Sequence, residues 1–374
     1  MMIDFIDLKA QQARIKPEID AGIAKVLAEG RYIMGPEVKE FEAKLGAFGQ
    51  AERALGCANG TDALLLPMIA WQIPRGAAVF CPSFTYCATA EIIAIMGATP
   101  VWVDIDRETY NMCPHALKAA IEGVKADGEL VPYGVIAVDL FGQSANYEAI
   151  APLAREHGLK LIADSAQGFG TTLNGKHPLH WVDVTTTSFF PAKPLGCYGD
   201  GGAVLTNDQD LADAMDSVRV HGKGADKYDN VRVGLNSRLD TLQAAILLPK
   251  LAIFADEIEK RNQVAARYSD GLRGHALRVP TILDGVVSSW AQYTIEVPDH
   301  AAFASALKEK GIPTARYYPK PVHMQSAYKH FPVGAAGMKN TDDCIADIIS
   351  LPMHPYLDED TQDMIIETAK LALN

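Results

Sequence analysis

The sequence predicts an α/β protein with a large, mostly parallel sheet domain at residues 1–245 and a smaller α+β domain at residues 246–374. Short apolar or β-branched runs alternate with helical stretches over the first two hundred residues, which is the pattern of a sheet with crossover helices. From about residue 246 a long amphipathic pattern replaces this alternation, as where a chain leaves one domain for another. The length of 374 residues suffices for two domains.

Seven segments are predicted to form the strands of the large sheet. Several lack in–out alternation, as expected for strands that helices cover on both faces. The segments between the first five are long enough for crossover helices, which makes these strands parallel. The last two lie closer together in the chain, so one of them is a candidate for an antiparallel strand. The seven are "ALGCA" from residue 54, "AVFCP" from 78, "PVWVD" from 100, "GVIAV" from 134, "KLIAD" from 160, "VTTTSFF" from 184 and "GAVLT" from 202.

The second domain begins with a helix. The segment "KLAIFADEIEKRNQVAARYSDGL" spaces Leu251, Phe254 and Ile258 at roughly helical intervals, which predicts an amphipathic helix that leaves the sheet. Beyond it we expect a strand in "AQYTIEVP" from residue 291, a helix over residues 301–310, a second strand in "TARYY", and helices near residues 341 and 360. A further helical segment at the N-terminus is assigned to the large domain.

The composition excludes several classes of function. The formal net charge of −12 is unlike the basic surface that nucleic acids and anionic membranes attract, so neither is a predicted partner. The first residues lack the signal-peptide pattern and no apolar run is long enough to span a membrane, so a cytoplasmic location is predicted. Six cysteines are scattered without zinc-site spacing and ten histidines form no HExxH pair, so no metal is predicted.

A lysine at a strand end is the first candidate for chemistry. In "SFFPAKPLGCYGDGG", Pro191 stops the predicted strand and places Lys193 on a rigid turn. Four glycines follow, so the backbone there can approach a bound group closely. A surface lysine is the ordinary reading of such a residue, but this combination favours a lysine held against a ligand.

Three other strand ends complete a candidate site, because ligands of open α/β sheets bind beyond the carboxyl ends of strands. Asp164 ends an apolar run in "LIADSAQGFG" with Gln167 three residues on, and a carboxylate so placed normally has a partner or a task. Gly60 and Thr61 in "ANGTDALLL" open a helix whose N–H groups suit a phosphate, although ordinary helix capping explains them equally well. Tyr86 in "CPSFTYCATAE" is either a ring-stacking residue or a packed core tyrosine.

Together these groups match the needs of one cofactor. Pyridoxal phosphate requires an anchored phosphate, a sandwiched ring, a carboxylate at its pyridine nitrogen and a lysine that forms a Schiff base with its aldehyde. A nicotinamide oxidoreductase is the rival for a glycine-rich α/β chain. That reading fails because no GxGxxG opens the first βα unit, and "GDGGA" follows a turn.

At the level of whole motifs, the chain resembles the DegT/StrS family of pyridoxal-phosphate-dependent nucleotide-sugar aminotransferases. The resemblance runs from "GRYIMGPEVKEFE" to "SLPMHPYLDED", and includes "PVWVDIDRETYN", "DSAQGFG", "SFFPAKPLGCYGDGGA" and "LNSRLDTLQAA". It implies fold type I, the aspartate-aminotransferase-like fold with a seven-stranded sheet. It also implies amination of a keto nucleotide-sugar with glutamate as the donor. Within the family, "NSRLDTLQAAILLPKL" and "SLPMHPYL" are most similar to enzymes that aminate C3 of UDP-2-acetamido-2-deoxy-3-oxo-glucuronate for surface polysaccharide (O-antigen, lipopolysaccharide).

The resemblance also assigns roles to residues of this chain. It implies that Lys193 forms the Schiff base and that Asp164 contacts the pyridine nitrogen. The other implied cofactor contacts are Tyr86 on the ring, Gln167 beside the phenolic oxygen, and Gly60, Thr61 and Ser188 at the phosphate. Family members are homodimers with shared active sites, in which Asn236 would reach the phosphate of the neighbouring subunit. Arg238, Tyr317 and Tyr318 would then meet the sugar, with Tyr317 standing where the most similar enzymes carry histidine.

Three alternatives within this resemblance stay open. The substrate is alternatively a UDP- or dTDP-linked keto-6-deoxyhexose aminated at C3 or C4, since Arg238 also occurs in relatives that act on neutral sugars. A dehydratase branch of the family replaces the lysine by histidine, so Lys193 argues against it. A non-catalytic nucleotide-sugar-binding regulator is the alternative from a different class, and the retained Lys193 and Asp164 argue against it.

Overall fold

A computed structural model describes residues 3–226 and 228–373 of the chain. The strands are β1 (Arg53–Cys57), β2 (Ala77–Pro82), β3 (Thr99–Val103), β4 (Val131–Val138), β5 (Lys160–Asp164), β6 (Thr172–Leu173), β7 (Val184–Ser188), β8 (Gly202–Thr206), β9 (Val286–Val287), β10 (Tyr293–Glu296) and β11 (Ile348–Leu351). The helices are α1 (Leu8–Arg14), α2 (Lys16–Glu29), α3 (Pro36–Phe48), α4 (Gly60–Ala70), α5 (Ala88–Ile95), α6 (Pro114–Asp127), α7 (Tyr147–Glu156), α8 (Gln209–Val218), α9 (Thr241–Leu272), α10 (His300–Glu309), α11 (Lys339–Cys344) and α12 (Glu359–Leu373). Short 3-10 helices span Leu140–Gly142, Pro178–His180 and Val322–Met324.

The seven predicted strands form one sheet in the order β1-β8-β7-β5-β4-β2-β3. β2 pairs in parallel with β3 and β4, and parallel pairing continues from β4 to β5 and from β5 to β7. β8 is antiparallel to both of its neighbours, β1 and β7. The mostly parallel sheet and the reversed strand near its end are therefore confirmed. Because β8 alone is reversed, the carboxyl ends of the other six strands meet at one edge, where ligands of such sheets bind.

Helices cover both faces of this sheet, as the lack of alternation in its strands predicted. Leu66 of α4, Ile93 of α5 and Met215 of α8 are fully buried in the apolar core on one face. Leu117 of α6 and Ile150 of α7 are buried in the core on the other face. Packing on both faces holds these strands in fixed positions relative to one another.

The long helix α9 runs from an apolar core of the sheet domain to the core of the C-terminal part. It begins at Thr241, ahead of the predicted start, and runs for 32 residues. Leu247 and Phe254 pack in a core of the large sheet domain, whereas Tyr268 and Leu272 pack in the core of the C-terminal part. The predicted domain boundary between residues 245 and 246 lies inside this helix, and it stays a prediction.

The C-terminal part is a small α+β unit, with one correction to the sequence-based expectation. The predicted strand after residue 291 is β10, and the helices expected near residues 301, 341 and 360 are α10, α11 and α12. The strand predicted in "TARYY" is wrong, because β10 pairs with β11 and that segment contributes only a single bridge, Ala315 to Ser350. Pro313 and Pro319 flank the segment and remove the backbone donors that a longer ladder would need.

Neither a membrane span nor a metal cluster is found in the described ranges. No helix there is long and apolar enough to cross a membrane. Within the same ranges, no group of three or more His, Cys, Asp or Glu side chains is placed to hold a metal ion. The cysteines are free thiols, of which Cys57, Cys81, Cys197 and Cys344 are buried.

Candidate active site

Asp164 lies at the carboxyl end of β5, beside the strand that leads to Lys193. Its Cα pairs with that of Thr186 on β7, so the two strands are neighbours. The carboxylate is 5% exposed and accepts hydrogen bonds from Thr89 Oγ1 at 2.8 Å and the Ala166 N–H at 3.2 Å. Burial raises the pKa of Asp164, while these two donors and the charge of Lys193 oppose that rise. A cationic ring nitrogen beside Asp164 would favour its ionised form.

Lys193 lies on the turn that follows β7. Its backbone N–H donates to the carbonyl of Phe190 at 2.9 Å, which closes the turn that Pro191 begins. Burial lowers the pKa of the Lys193 amine, and the nearby Asp164 carboxylate acts in the opposite direction. A buried lysine with a lowered pKa has a larger neutral fraction, which is the nucleophilic form that attacks an aldehyde.

The start of α4 is open toward an anion. Asn59 caps this helix, and its side chain and carbonyl accept from the N–H groups of Asp62 and Ala63. The N–H groups of Gly60 and Thr61 are thus left at the positive end of the helix dipole, where a phosphate is stabilised. Ser188, at the end of β7, lies directly against this helix start, because a Cβ on Gly60 would lie 2.7 Å from the Ser188 Cβ.

One amide and two tyrosines, Gln167, Tyr318 and Tyr86, form a second group of side chains at the site. Gln167 is buried, accepts from the Phe141 N–H at 2.7 Å, and donates through Nε2 to the Tyr318 hydroxyl at 2.8 Å. Burial, followed by the charge of Asp164, raises the pKa of Tyr318, so its hydroxyl keeps its proton. Tyr86 is 57% exposed, and its ring centroid lies 6.3 Å from that of Tyr318. A packed core tyrosine is therefore excluded at Tyr86, whose ring has a free face.

Two of the predicted substrate or phosphate residues form no hydrogen bond or ion pair with this cluster in the described part of the chain. Asn236 is exposed and Arg238 half-buried, and neither side chain has a hydrogen bond or ion pair with any other described residue. Ser237 between them is buried and accepts from the Ala58 N–H at 3.2 Å, which fixes the segment near α4. The third such residue, Tyr317, packs edge-on against Tyr318 with ring centroids 5.9 Å apart, and its ring also lies 6.4 Å from that of Phe5.

Sequence reasoning missed a buried acid beneath the site. Asp139 comes directly after β4, next to the end of β5 at Asp164, and its place after an apolar strand is the signal that could have revealed it. Its carboxylate accepts from the Ala145 N–H at 2.9 Å, from the Tyr147 hydroxyl at 2.8 Å and from the Ser165 hydroxyl. Burial raises the pKa of Asp139 to about 7. Asp139 thereby ties the loop after β4 to the turn that holds Asp164 and Gln167.

Comparison with known proteins identifies the family to which this chain is similar. The model of the DegT/DnrJ/EryC1/StrS aminotransferase family matches residues 13–370. A UDP-2-acetamido-2-deoxy-3-oxo-D-glucuronate aminotransferase of Pseudomonas aeruginosa is 48% identical over 362 residues, which are 96% of this chain and 96% of that protein. A pleiotropic regulatory protein of Geobacillus stearothermophilus is 39% identical over 98% of this chain and 97% of its own.

A solved structure agrees with the sequence comparison. The crystal structure of a DegT DnrJ EryC1 StrS aminotransferase from Brucella abortus superposes with a TM-score of 0.97 at 50% identity, and the match covers 98% of each chain. The predicted family and the predicted fold are confirmed. This chain belongs to the DegT/DnrJ/EryC1/StrS aminotransferase family.

Proposed function

We propose that this aminotransferase transfers the amino group of glutamate to C3 of UDP-2-acetamido-2-deoxy-3-oxo-glucuronate, in the synthesis of a surface polysaccharide such as O-antigen. The main observation for this chemistry is that a buried carboxylate, Asp164, ends one strand while a half-buried lysine, Lys193, lies on the turn after the neighbouring strand, and that the charge of each acts on the pKa of the other. The choice of sugar is supported by the 48% identical relative, a UDP-2-acetamido-2-deoxy-3-oxo-D-glucuronate aminotransferase, which this chain matches over 96% of both lengths.

Enzymes of this family depend on pyridoxal 5′-phosphate, and the residues present fit it. Asp164 would hold the pyridine nitrogen, because a buried carboxylate with only two donors gains from a positive partner. Lys193 would bind the aldehyde carbon. The phosphate would lie at the N–H groups of Gly60 and Thr61 and at the Ser188 hydroxyl, with Tyr86 against the ring and Gln167 beside the phenolic oxygen. When bound, the cofactor supplies an electron sink and carries the amino group from donor to acceptor.

Lys193 would act twice in the cycle. With its amine free, Lys193 would take the proton from the Cα of glutamate at Nζ, beside the carbon that it binds at rest. In the second half the same amine would move a proton in the reverse sense, onto C3 of the sugar. The turn between Pro191 and the glycine-rich run tethers Nζ beside both atoms, which gives proton transfer a high effective concentration. Asp164 would keep the ring nitrogen charged throughout.

The sugar would be held by residues from two subunits. We infer a homodimer in which Asn236 reaches the phosphate site of the partner subunit and Arg238 meets the sugar. A guanidinium suits the 6-carboxylate of a glucuronate because it donates two parallel hydrogen bonds. The unpaired Arg238 side chain supports this assignment, since it has no other partner among the described residues. Tyr317 and Tyr318 would line the sugar side of the same pocket.

A coupled assay tests the proposal. The purified enzyme, loaded with cofactor, is given UDP-2-acetamido-2-deoxy-3-oxo-glucuronate generated in situ together with glutamate, and 2-oxoglutarate and the amino sugar are measured by mass spectrometry. Equal amounts of both products are expected. If glutamate alone yields 2-oxoglutarate in a single stoichiometric turnover but this sugar is not aminated, the substrate is a different keto sugar. UDP- and dTDP-linked keto-6-deoxyhexoses are then the next acceptors to assay.

A further inference from the structure

One loop of the small domain supplies both substrate-side tyrosines. We call residues 313–331 the tyrosine loop; it follows α10 and contains Tyr317 and Tyr318. The tyrosine loop has little regular structure of its own, since its only helix is the 3-10 turn Val322–Met324. Its position must therefore come from contacts with other parts of the molecule.

Three of these contacts are hydrogen bonds with Ser83, the residue that follows β2. The Val322 N–H donates to the Ser83 carbonyl at 2.9 Å, and the His323 N–H donates to Ser83 Oγ at 2.9 Å. Ser83 Oγ also lies 2.6 Å from Nδ1 of the His323 ring. The Ser83 hydroxyl donates to Nδ1 when the neutral ring carries its proton on Nε2, the nitrogen that faces the Asp342 carboxylate. Ser83 is fully buried, so water does not compete for these bonds.

The other ring nitrogen of His323 is fixed by α11. Nε2 lies 3.2 Å from Oδ1 of Asp342, which accepts its proton. The helix that carries Asp342 is itself anchored to the end of β3: Asp104 accepts from the N–H groups of Asn340 and Thr341, each at 2.9 Å. His323 is thus bonded through Nδ1 to Ser83, which follows β2, and through Nε2 to α11, which is bonded to Asp104 at the end of β3.

This set of hydrogen bonds joins the segment that carries Tyr86 to the segment that carries Tyr318. Tyr86 lies three residues after Ser83 and Tyr318 lies five residues before His323, and their ring centroids are 6.3 Å apart. We propose that His323 is a positioning residue that sets the separation of Tyr86 from Tyr318, and so the width of the slot that receives the cofactor ring and the sugar. The proposal rests on the function proposed above, because it needs Tyr86 and Tyr318 to face those two ligands.

A histidine suits this role because it accepts at one nitrogen and donates at the other. Burial lowers the pKa of His323, and the charges of Asp342 and Asp104 oppose that shift. A neutral ring keeps Nδ1 as the acceptor for Ser83. Asparagine would place its side-chain oxygen near the position of Nδ1 and retain the bond to Ser83, whereas alanine retains neither bond.

The test compares His323→Ala, Ser83→Ala, the double variant and His323→Asn, with His330→Ala as the control. His330 is an exposed histidine of the same tyrosine loop whose ring contacts Phe331. In the cofactor-loaded enzyme, His323→Ala and Ser83→Ala are each expected to lose visible circular dichroism of the bound cofactor and to slow the glutamate half-reaction about 10-fold. The double variant should lose less than the sum of the two single losses, because both remove the bond between Ser83 and the His323 ring. His323→Asn should recover most of the loss.

A structural role without positioning would give a different result. If His323→Ala lowers only the melting temperature, with wild-type dichroism and wild-type half-reaction rate, the proposal is overturned. Amide hydrogen exchange on the same full-length proteins separates this from failure of the proposed function. Even if the wild type takes up no cofactor, His323→Ala should speed exchange in both residues 84–88 and residues 315–320, and His330→Ala in neither. Unchanged exchange in either segment would contradict the connection itself.

Discussion

Two regions that were predicted to contribute to one site differ in their burial and in their hydrogen bonding. The turn from Asp164 to Gln167 is buried, and its side chains are hydrogen-bonded to helix α5, to the 3-10 helix after β4 and to the tyrosine loop. The described residues between 228 and 233 are exposed, with Val233 at 88%, and the side chains of Asn236 and Arg238 further along have no partner among the described residues. One chain therefore builds the part of the site around the carboxylate and the lysine. The exposed segment offers groups that only a second molecule would cover.

The largest effect is expected at the lysine of the buried region. Lys193→Ala should fold normally, lose the visible absorption of the lysine-bound cofactor, and lower turnover by about 10³-fold or more, because it removes both the covalent anchor and the proton carrier. Absorbance and single-turnover assays with glutamate measure these changes. A normal absorption band in the purified variant would remove Lys193 from its proposed role.

The next effect is expected at the neighbouring carboxylate. Asp164→Asn preserves shape and can still accept from Thr89, but it does not stabilise a charged ring nitrogen, so turnover should fall about 10²- to 10³-fold while cofactor binding persists. Cofactor stoichiometry and the rate of the glutamate half-reaction check this. Near-wild-type turnover would mean that Asp164 is only structural.

A smaller effect is expected in the exposed segment, and it tests whether that segment acts on a second molecule. Arg238→Ala should raise KM for the sugar about 10-fold or more, because a bidentate carboxylate contact is lost. Mixed with Lys193→Ala subunits after dissociation and reassembly, it should recover about a quarter of the wild-type sites, since half of the dimers are mixed and each has one intact site. No recovery in mixed dimers, with both variants correctly folded, would place Arg238 in the site of its own subunit.

The smallest effect concerns acid stability and contrasts a buried histidine with an exposed one. Burial against Phe48 lowers the pKa of His177 to about 4, below its ordinary value of 6.5. The folded state therefore resists protonation, so this contribution to stability is complete above about pH 6.5 and is lost as the pH falls toward 4. From pH 7 to pH 5 the loss should be about 2 kcal/mol.

Urea unfolding of His177→Gln at several pH values measures this contribution. The variant should lose less stability between pH 7 and pH 5 than the wild type does. His221→Gln is the matched control, because His221 is an exposed histidine in the segment after α8. An equal pH slope in His177→Gln and the wild type would show that His177 titrates normally in the folded protein.

Much of the architecture follows from local sequence patterns. The seven strands are apolar runs separated by helical segments, and a parallel sheet is the arrangement that covers such runs on both faces. The strand pairing of β5 with β7, and with it the proximity of Asp164 to Lys193, follows from the same pattern. The error at "TARYY" has a physical cause: apolar and aromatic residues favour a strand, but the flanking prolines and the bond from Gln167 to Tyr318 hold the segment in the site instead.

The sequence by itself determined the fold, the family, and the residue types that a pyridoxal-phosphate site needs, because periodicity and motifs are properties of short stretches of chain. Only the tertiary structure decided which distant side chains complete the site. Thr89 under Asp164, Asp139 under the same turn, and the bond from Ser83 to His323 join residues that lie 75, 26 and 240 positions apart. Such contacts leave no local pattern, since each depends on how whole elements pack.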